Sequence, residues 1–316
     1  MTACRTNPPR PKTELVHRSQ PLLGTFVTIS ACGPDRATTL QAISAAFDEI
    51  KRADAVMSIH REDSELARLN ASAATNTVIV SPELFVVLQL AQDIATQTDG
   101  AFDITIRPLA DLWGFIWKQH RLPTSEELER TLPLVNFRYI QLDPERRTVR
   151  FLKPSVSTDL GGIGKGVAVD WAITKLQSLG VTNAMVKAGG DLRVIGAPPG
   201  ETHWTVQLED PRKEGQRVSI PLRDAALSTS GNYENFFEVN GRRYSHILNP
   251  RTGLPVEGIA ACTVIAPTCA ESDAWATALI VYGMERSLSE FGKHRTVRFT
   301  TVTNGIVRHL PSARFP

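Results

Sequence analysis

Cysteine is scarce in this chain of 316 residues, with four in all. Cys4, Cys32, Cys262 and Cys269 include no C-x-x-C pair, which argues against a zinc site and leaves idle or buried thiols. No apolar run approaches the roughly 20 residues of a membrane-spanning helix, so no transmembrane span is expected. Neither sign of charge is in excess: 35 Lys and Arg face 33 Asp and Glu, net +2. The basic residues are scattered rather than striped, so nothing points to a nucleic-acid partner. Met1 to Gln20 is polar and proline-rich, with basic residues but no apolar h-region. It does not read as a secretory signal, and a cytoplasmic location is expected. Residues 1–18 read as a disordered arm. There is no internal repeat and no low-complexity linker.

Helical patterns dominate the first half. Thr38 to Met57 places Leu40, Ile43, Phe47, Ile50 and Val56/Met57 at helical spacing. Ser81-Pro82-Glu83 supplies an N-cap, a proline at N1 and an acid in the first turn, so a helix should run to about Thr98. Thr124-Ser125-Glu126-Glu127 opens a short helix ending before Pro133, and Gly162 to Leu179 reads as a helix closed by Gly180.

Strands dominate the second half. Leu22 to Ala31 reads as a strand with Gly24 inside it, and 139–142 with 148–152 as a hairpin. Short strands are expected over 184–187, 192–195, 204–208, 217–220, 236–239, 243–248 and 259–265, with Asn240-Gly241 as a hairpin turn. Glu271 to Val281 reads as a helix. A last hairpin, 297–302 and 306–310, should turn at Asn304-Gly305. Helices and strands without regular βα alternation argue an α+β fold.

Two distant segments carry chemistry. Asp159-Leu160-Gly161-Gly162-Ile163-Gly164-Lys165-Gly166 is a glycine-dense turn opening a helix. Its free N–H groups and positive dipole end suit a phosphate. It is not a P-loop, because Asp159 stands where the first glycine belongs and Gly166 where Ser or Thr belongs. Its G-x-G-x-G spacing also misses the dinucleotide fingerprint. A glycine-rich helix entry packed against a strand is the plainer alternative. Asp273 and Thr277, four apart, share one helix face, and oxygen-only ligands suit Mg²⁺. An N-terminal acid and a buried threonine is the plainer reading there. His246, at the end of a strand before Asn249-Pro250-Arg251-Thr252-Gly253, has the titration range of a general base, or hydrogen-bonds backbone. Gly100 to Thr105 and Gly189-Gly190-Asp191 read as turns with no assigned chemistry. Trp113 and Phe115 read as packing. Lys165 and Lys187 would neutralise phosphate or face solvent.

In this order these segments resemble the ApbE-type flavin transferases, the FAD:protein FMN transferases, from about Leu22 to Gly283. The matching pieces include Leu23-Gly24-Thr25, Met57-Ser58 with Ser64-Glu65-Leu66, Gly100-Ala101-Phe102-Asp103 and Leu112-Trp113-Gly114-Phe115. They continue through Asp159 to Gly166, Gly189-Gly190-Asp191, His246 to Pro255, and Asp273 with Thr277. The resemblance implies a single compact ApbE-like (T-fold-like) α+β domain over 19–316 with an FAD cleft. It implies cleavage of the FAD pyrophosphate, attachment of FMN to a threonine or serine of an acceptor flavoprotein, and release of AMP. It implies Mg²⁺ held by Asp273, Thr277 and the Gly164 carbonyl. FAD contacts would fall at Leu23, His60, Ala101, Phe102, Asp103, Gly161, Val167 and Ile247, with His246 as the base.

Three positions depart from the family pattern. Leu23 replaces a usual methionine, His60 an aromatic that packs on the ligand, and Asn249 an aspartate in a turn that Asn forms equally well. Members are often exported and lipid-anchored, signals this sequence does not display. Two other readings stand beside transfer: an FAD pyrophosphatase releasing FMN and AMP, and a flavin-binding protein without turnover.

Overall fold

A computed structural model describes residues 14–209, 217–303 and 306–316. The chain starts with a hairpin, β1 (Val16–Leu22) and β2 (Thr25–Cys32). Both central residues of its turn, Leu23 and Gly24, have positive φ (54° and 70°), which matches the twist of a tight hairpin. Gly24 therefore lies at a turn, not inside a strand. Val16 to Arg18 pair with Ala31 to Ile29, so ordered structure begins before residue 19. Residues 1–13, with Cys4, lie outside the described residues.

α1 (Arg36–Met57), α2 (Glu65–Ser72), a short β3 (Val78–Ile79), α3 (Pro82–Gln97), α4 (Arg107–Leu112) and α5 (Ser125–Thr131) follow. Their starts obey local chemistry. The side chains of Asp35, Ser64 and Ser81 each accept a backbone N–H of the first turn, and Thr124 with Glu127 forms a capping box. The expected hairpin is β4 (Ile140–Asp143) and β5 (Thr148–Phe151).

The second half is α6 (Gly164–Ser178), β6 (Asn183–Ala188), β7 (Asp191–Ile195), β8 (Trp204–Glu209), β9 (Arg217–Leu222), β10 (Ala225–Gly231), β11 (Phe236–Val239) and β12 (Arg242–Ser245). It ends with β13 (Ile259–Ala266), α7 (Cys269–Tyr282), α8 (Met284–Glu290), β14 (Thr296–Thr303) and β15 (Ile306–Pro311). The turn expected at Asn304-Gly305 lies outside the described residues. Most expected elements stand where the sequence placed them. Strands β1, β3 and β10 and helices α2, α4 and α8 were not anticipated.

Eight strands form one antiparallel sheet in the order β1-β2-β6-β7-β10-β13-β14-β15. Alternation decides its two faces. Val27, Ile29, Ala184, Val186, Ala226, Cys262 and Val264 join the core made with α1, α6 and α7. Leu192, Val194 and Leu227 point the other way, onto Trp204, Val206, Ile220 and Leu222 of the β8–β9 hairpin. The α+β reading thus holds, and α6 and α7 are placed side by side on one sheet face. Cys32, Cys262 and Cys269 are buried free thiols. Among the described residues no helix is long and apolar enough to cross a membrane.

Candidate active site

Close approach of α6 and α7 builds the site. A Cβ on Gly166 would stand 2.3 Å from the Cys269 carbonyl oxygen, so only glycine lets the helices meet here. At that contact the Gly166 N–H donates to Asp273 Oδ2 at 3.0 Å. Asp273 is 2% exposed, and burial, with Asp191 nearby, pushes its carboxyl up to about 7 against the opposing pull of Lys165. One turn on, the Thr277 hydroxyl lies 3.0 Å from the Ser230 hydroxyl of β10.

Lys165 answers the sequence-level ambiguity. Its ammonium lies 3.1 Å from Asp191 and 4.0 Å from Asp273, whose charges hold it well above an ordinary lysine. Lys187, by contrast, is exposed on β6. Asp191, 3% exposed, is a site residue that sequence reasoning missed. Its signal was Gly189-Gly190, where a Cβ on Gly190 would stand 2.8 Å from the Thr229 carbonyl oxygen. Glu234 also lines the cleft; burial raises its carboxyl, with Lys165 opposing. Three carboxylates thus surround one ammonium, a surplus of negative charge that a divalent cation would cancel.

These groups face a cleft partly open to solvent. Ala101, Phe102, Asp103, Gly161, His246, Ile247, Asp273 and Thr277 all line it. Asp103 serves the wall rather than the open space. It accepts from the Thr105 N–H and hydroxyl (2.8 and 2.6 Å) and from the Phe137 N–H (2.7 Å). Burial still raises it to about 6. Gly161 donates its N–H to Asp159 at 2.7 Å.

Four expected residues are not in the lining. Gly164 begins α6 beside Lys165. Leu23 sits at the β1–β2 tip, and His60 is exposed with its ring edge-on to Trp117, 5.6 Å between centroids. Val167 is 4% exposed, and its side chain borders an apolar groove between α3 and α6 instead.

His246 follows β12. Its Nδ1 and its backbone N–H both lie 3.0 Å from the Asn235 carbonyl. A carbonyl only accepts, so Nδ1 carries the proton and Nε2 keeps the free lone pair. Burial lowers this imidazole below 6.5, leaving it neutral near pH 7. Asn249 accepts the Arg251 N–H at 2.9 Å as a turn former. The turn is pinned by Trp113, whose indole donates to the Gly253 carbonyl at 2.8 Å. Trp113 and Phe115 are buried packing residues, as expected.

The donor set around Asp273 suits a hard cation. Among the described residues Asp273 Oδ1 has only Lys165, at 4.0 Å, and one helical turn away stand the Thr277 and Ser230 hydroxyls. Among the described residues no cluster of three or more His, Cys, Asp or Glu side chains is placed to hold a metal. A site here would draw on backbone, hydroxyl, phosphate and water oxygens, which fits Mg²⁺ better than zinc.

Fold and cleft together define an α+β protein in which a helix N-terminus, an acid–hydroxyl pair and a buried histidine meet at one cleft. Comparison with known proteins is specific. The sequence matches the ApbE family over residues 23–299. It is 33% identical over 282 residues to the FAD:protein FMN transferase of Vibrio cholerae, covering 87% of this chain and 84% of that protein. The Haemophilus influenzae FAD:protein FMN transferase is 34% identical over 275 residues, covering 84% and 80%. The crystal structure of the ApbE protein from Thermotoga maritima superposes with a TM-score of 0.87 at 32% identity, covering 95% and 97%. The apo flavinyl transferase ApbE of Pseudomonas stutzeri does so at 0.85 and 27%, covering 95% of each. The chain belongs to the ApbE family.

Proposed function

We propose that this protein is an Mg²⁺-dependent FAD:protein FMN transferase. It splits the FAD pyrophosphate, joins FMN through a phosphoester to a threonine or serine of an acceptor flavoprotein, and releases AMP. One observation carries this reading: a neutral histidine, a buried acid–hydroxyl pair and a glycine-opened helix N-terminus converge on one cleft.

The residues divide the work. Ala101, Phe102 and Ile247 give the isoalloxazine an apolar wall, and Asp103 fixes the loop carrying the first two. The turn at Gly161 brings backbone N–H groups towards the diphosphate. Lys165 presents its ammonium to the phosphates, held in place by Asp191. Asp273, Thr277 and the Gly164 carbonyl would hold Mg²⁺, which when bound neutralises the diphosphate and the departing AMP. His246 Nε2 takes the proton of the acceptor hydroxyl. That oxygen bonds to the FMN phosphorus while the bond from phosphorus to the AMP oxygen breaks, and AMP leaves with the electron pair. Leu23 and His60 are assigned to the periphery of the FAD site, and Val167 to the packing of α6 behind it. No step alters the flavin ring, so the reaction needs no oxidant.

Asp273→Ala tests the assignment. AMP release from FAD should fall by at least about a hundredfold, with the fold retained. AMP release at the wild-type rate would remove Asp273 from the site.

A further inference from the structure

Helix α6 engages the first turns of α7 at two levels, one helical turn apart. At the lower level Gly166 donates to the Asp273 carboxylate, as described. At the upper level the roles reverse. The Asp170 carboxylate accepts the N–H groups of Cys269 (2.9 Å, to Oδ1) and Ala270 (2.8 Å, to Oδ2). Arg193 of β7 donates to the same Oδ1 at 2.7 Å.

This is more than a helix needs for its own start. α7 already has an N-cap, because Thr268 Oγ1 accepts the Glu271 N–H at 3.3 Å. A carboxylate reaching across from another helix ties the two axes together, and a guanidinium from the sheet fixes that carboxylate in turn. Burial raises Asp170 while its donors oppose the shift, as expected of a carboxylate held inside a contact.

The consequence falls on Asp273 and Thr277. Asp273 lies one turn beyond Cys269, about 6 Å along the axis, and Thr277 one turn further. Mg²⁺ asks for near-octahedral oxygens at about 2.1 Å, and a working site tolerates only about 0.2 Å of error. Gly164 belongs to α6 and the acid–hydroxyl pair to α7, so any slide of one helix along the other separates the donors. We infer that Asp170, braced by Arg193, is a positioning residue that sets the spacing between the Gly164 carbonyl and the Asp273–Thr277 pair. It touches neither metal nor substrate. The inference rests on the metal reading in the proposed function.

Mn²⁺ is a suitable probe, because it accepts the same oxygen donors and reports its free concentration by electron paramagnetic resonance. Wild type, Asp170→Asn and Arg193→Met would be titrated with Mn²⁺ without FAD, each checked for native near-ultraviolet circular dichroism. Asp170→Asn keeps the shape but faces one helix N–H with an amide donor. Its Mn²⁺ Kd should rise about tenfold, in the range typical of residues that orient metal ligands. Arg193→Met should raise it about threefold. With FAD, the Mn²⁺ concentration for half-maximal AMP release should rise in parallel, while the rate at saturating Mn²⁺ stays within about twofold of wild type. Variants with lower melting temperatures but a wild-type Mn²⁺ Kd would overturn the inference and reduce Asp170 to a stability residue. If Asp170→Asn does not fold, an unchanged Kd in Arg193→Met overturns it alone. A wild type that binds no Mn²⁺ either alone or in the presence of FAD would remove the metal reading itself, a result distinct from equal binding by all three proteins.

Discussion

Gly166→Ala should force α6 and α7 apart. The new Cβ would meet the Cys269 carbonyl oxygen at 2.3 Å, its carbon at 2.6 Å and the Ala270 nitrogen at 2.8 Å, all backbone atoms that no side-chain rotation can move. Ordinary contact begins near 3.4 Å, so the helices must separate by about 1 Å. Overpacking of this kind costs about 2 kcal/mol. Losing the hydrogen bond from Gly166 to the buried Asp273 carboxylate costs about 2 kcal/mol more. Alanine's better helix propensity offsets about 1 kcal/mol. The net loss of about 3 kcal/mol corresponds to a melting temperature about 4.5 °C lower in a chain of this size. Gly164→Ala is the matched control. Its Cβ would meet only Leu160 Cβ, at 4.0 Å, so its melting temperature should equal or slightly exceed wild type. Differential scanning calorimetry in EDTA measures both without interference from metal. A Gly166→Ala protein melting within 2 °C of wild type would refute the claim that this glycine is required for helix contact.

Two other substitutions probe the cleft. His246→Ala should keep FAD affinity by fluorescence titration yet lose acceptor flavinylation by about 10²-fold or more; unchanged transfer would remove His246 as the base. In wild type at saturating metal, which would hold Asp273 ionised, kcat/KM should rise with pH through a value below 6.5, because burial holds the imidazole neutral and only the neutral form accepts a proton. The same depressed value means that the unfolded chain binds the proton first as pH drops below 6.5, so this residue lowers stability there and has no effect above it. Lys165→Met should weaken FAD binding about tenfold by removing the ammonium facing the diphosphate; equal affinity would assign Lys165 to holding Asp191 and Asp273 alone.

The sequence was most legible where local chemistry and burial agree. α1, α3, α5 and α6 announced themselves by caps and periodicity, and the Asn240-Gly241 hairpin by its turn pair. β10 was missed for a physical reason. Its sequence, Ala225-Ala-Leu-Ser-Thr-Ser-Gly231, has no apolar alternation, although it lies in the interior of the sheet. Its serines face α7 through hydroxyl pairs, Ser228 with Ser272 at 2.7 Å and Ser230 with Thr277 at 3.0 Å. Small polar residues let the helix sit close, and a hydrophobicity pattern cannot see that.

Site residues divide in the same way. His246, Asp273, Thr277 and Ala101 to Asp103 were picked out and meet in one cleft. Asp191 looked like turn chemistry, because its meaning depends on Lys165, 26 positions earlier in the chain. Asp170 gave no signal in the sequence, because the N–H groups it accepts are about a hundred residues away. Pairings across the fold do not show in local spacing.

The central claim is transfer of FMN to protein, and intact mass spectrometry tests it most directly. The protein would be incubated with FAD and Mg²⁺, with and without an acceptor flavoprotein domain that carries an attachment threonine. The account predicts that the acceptor gains the mass of FMN less water, that AMP appears in equal amount, and that EDTA abolishes both. Release of AMP and FMN with no mass gain on the acceptor would instead mark hydrolysis, and FAD left unconsumed would contradict the catalytic account altogether.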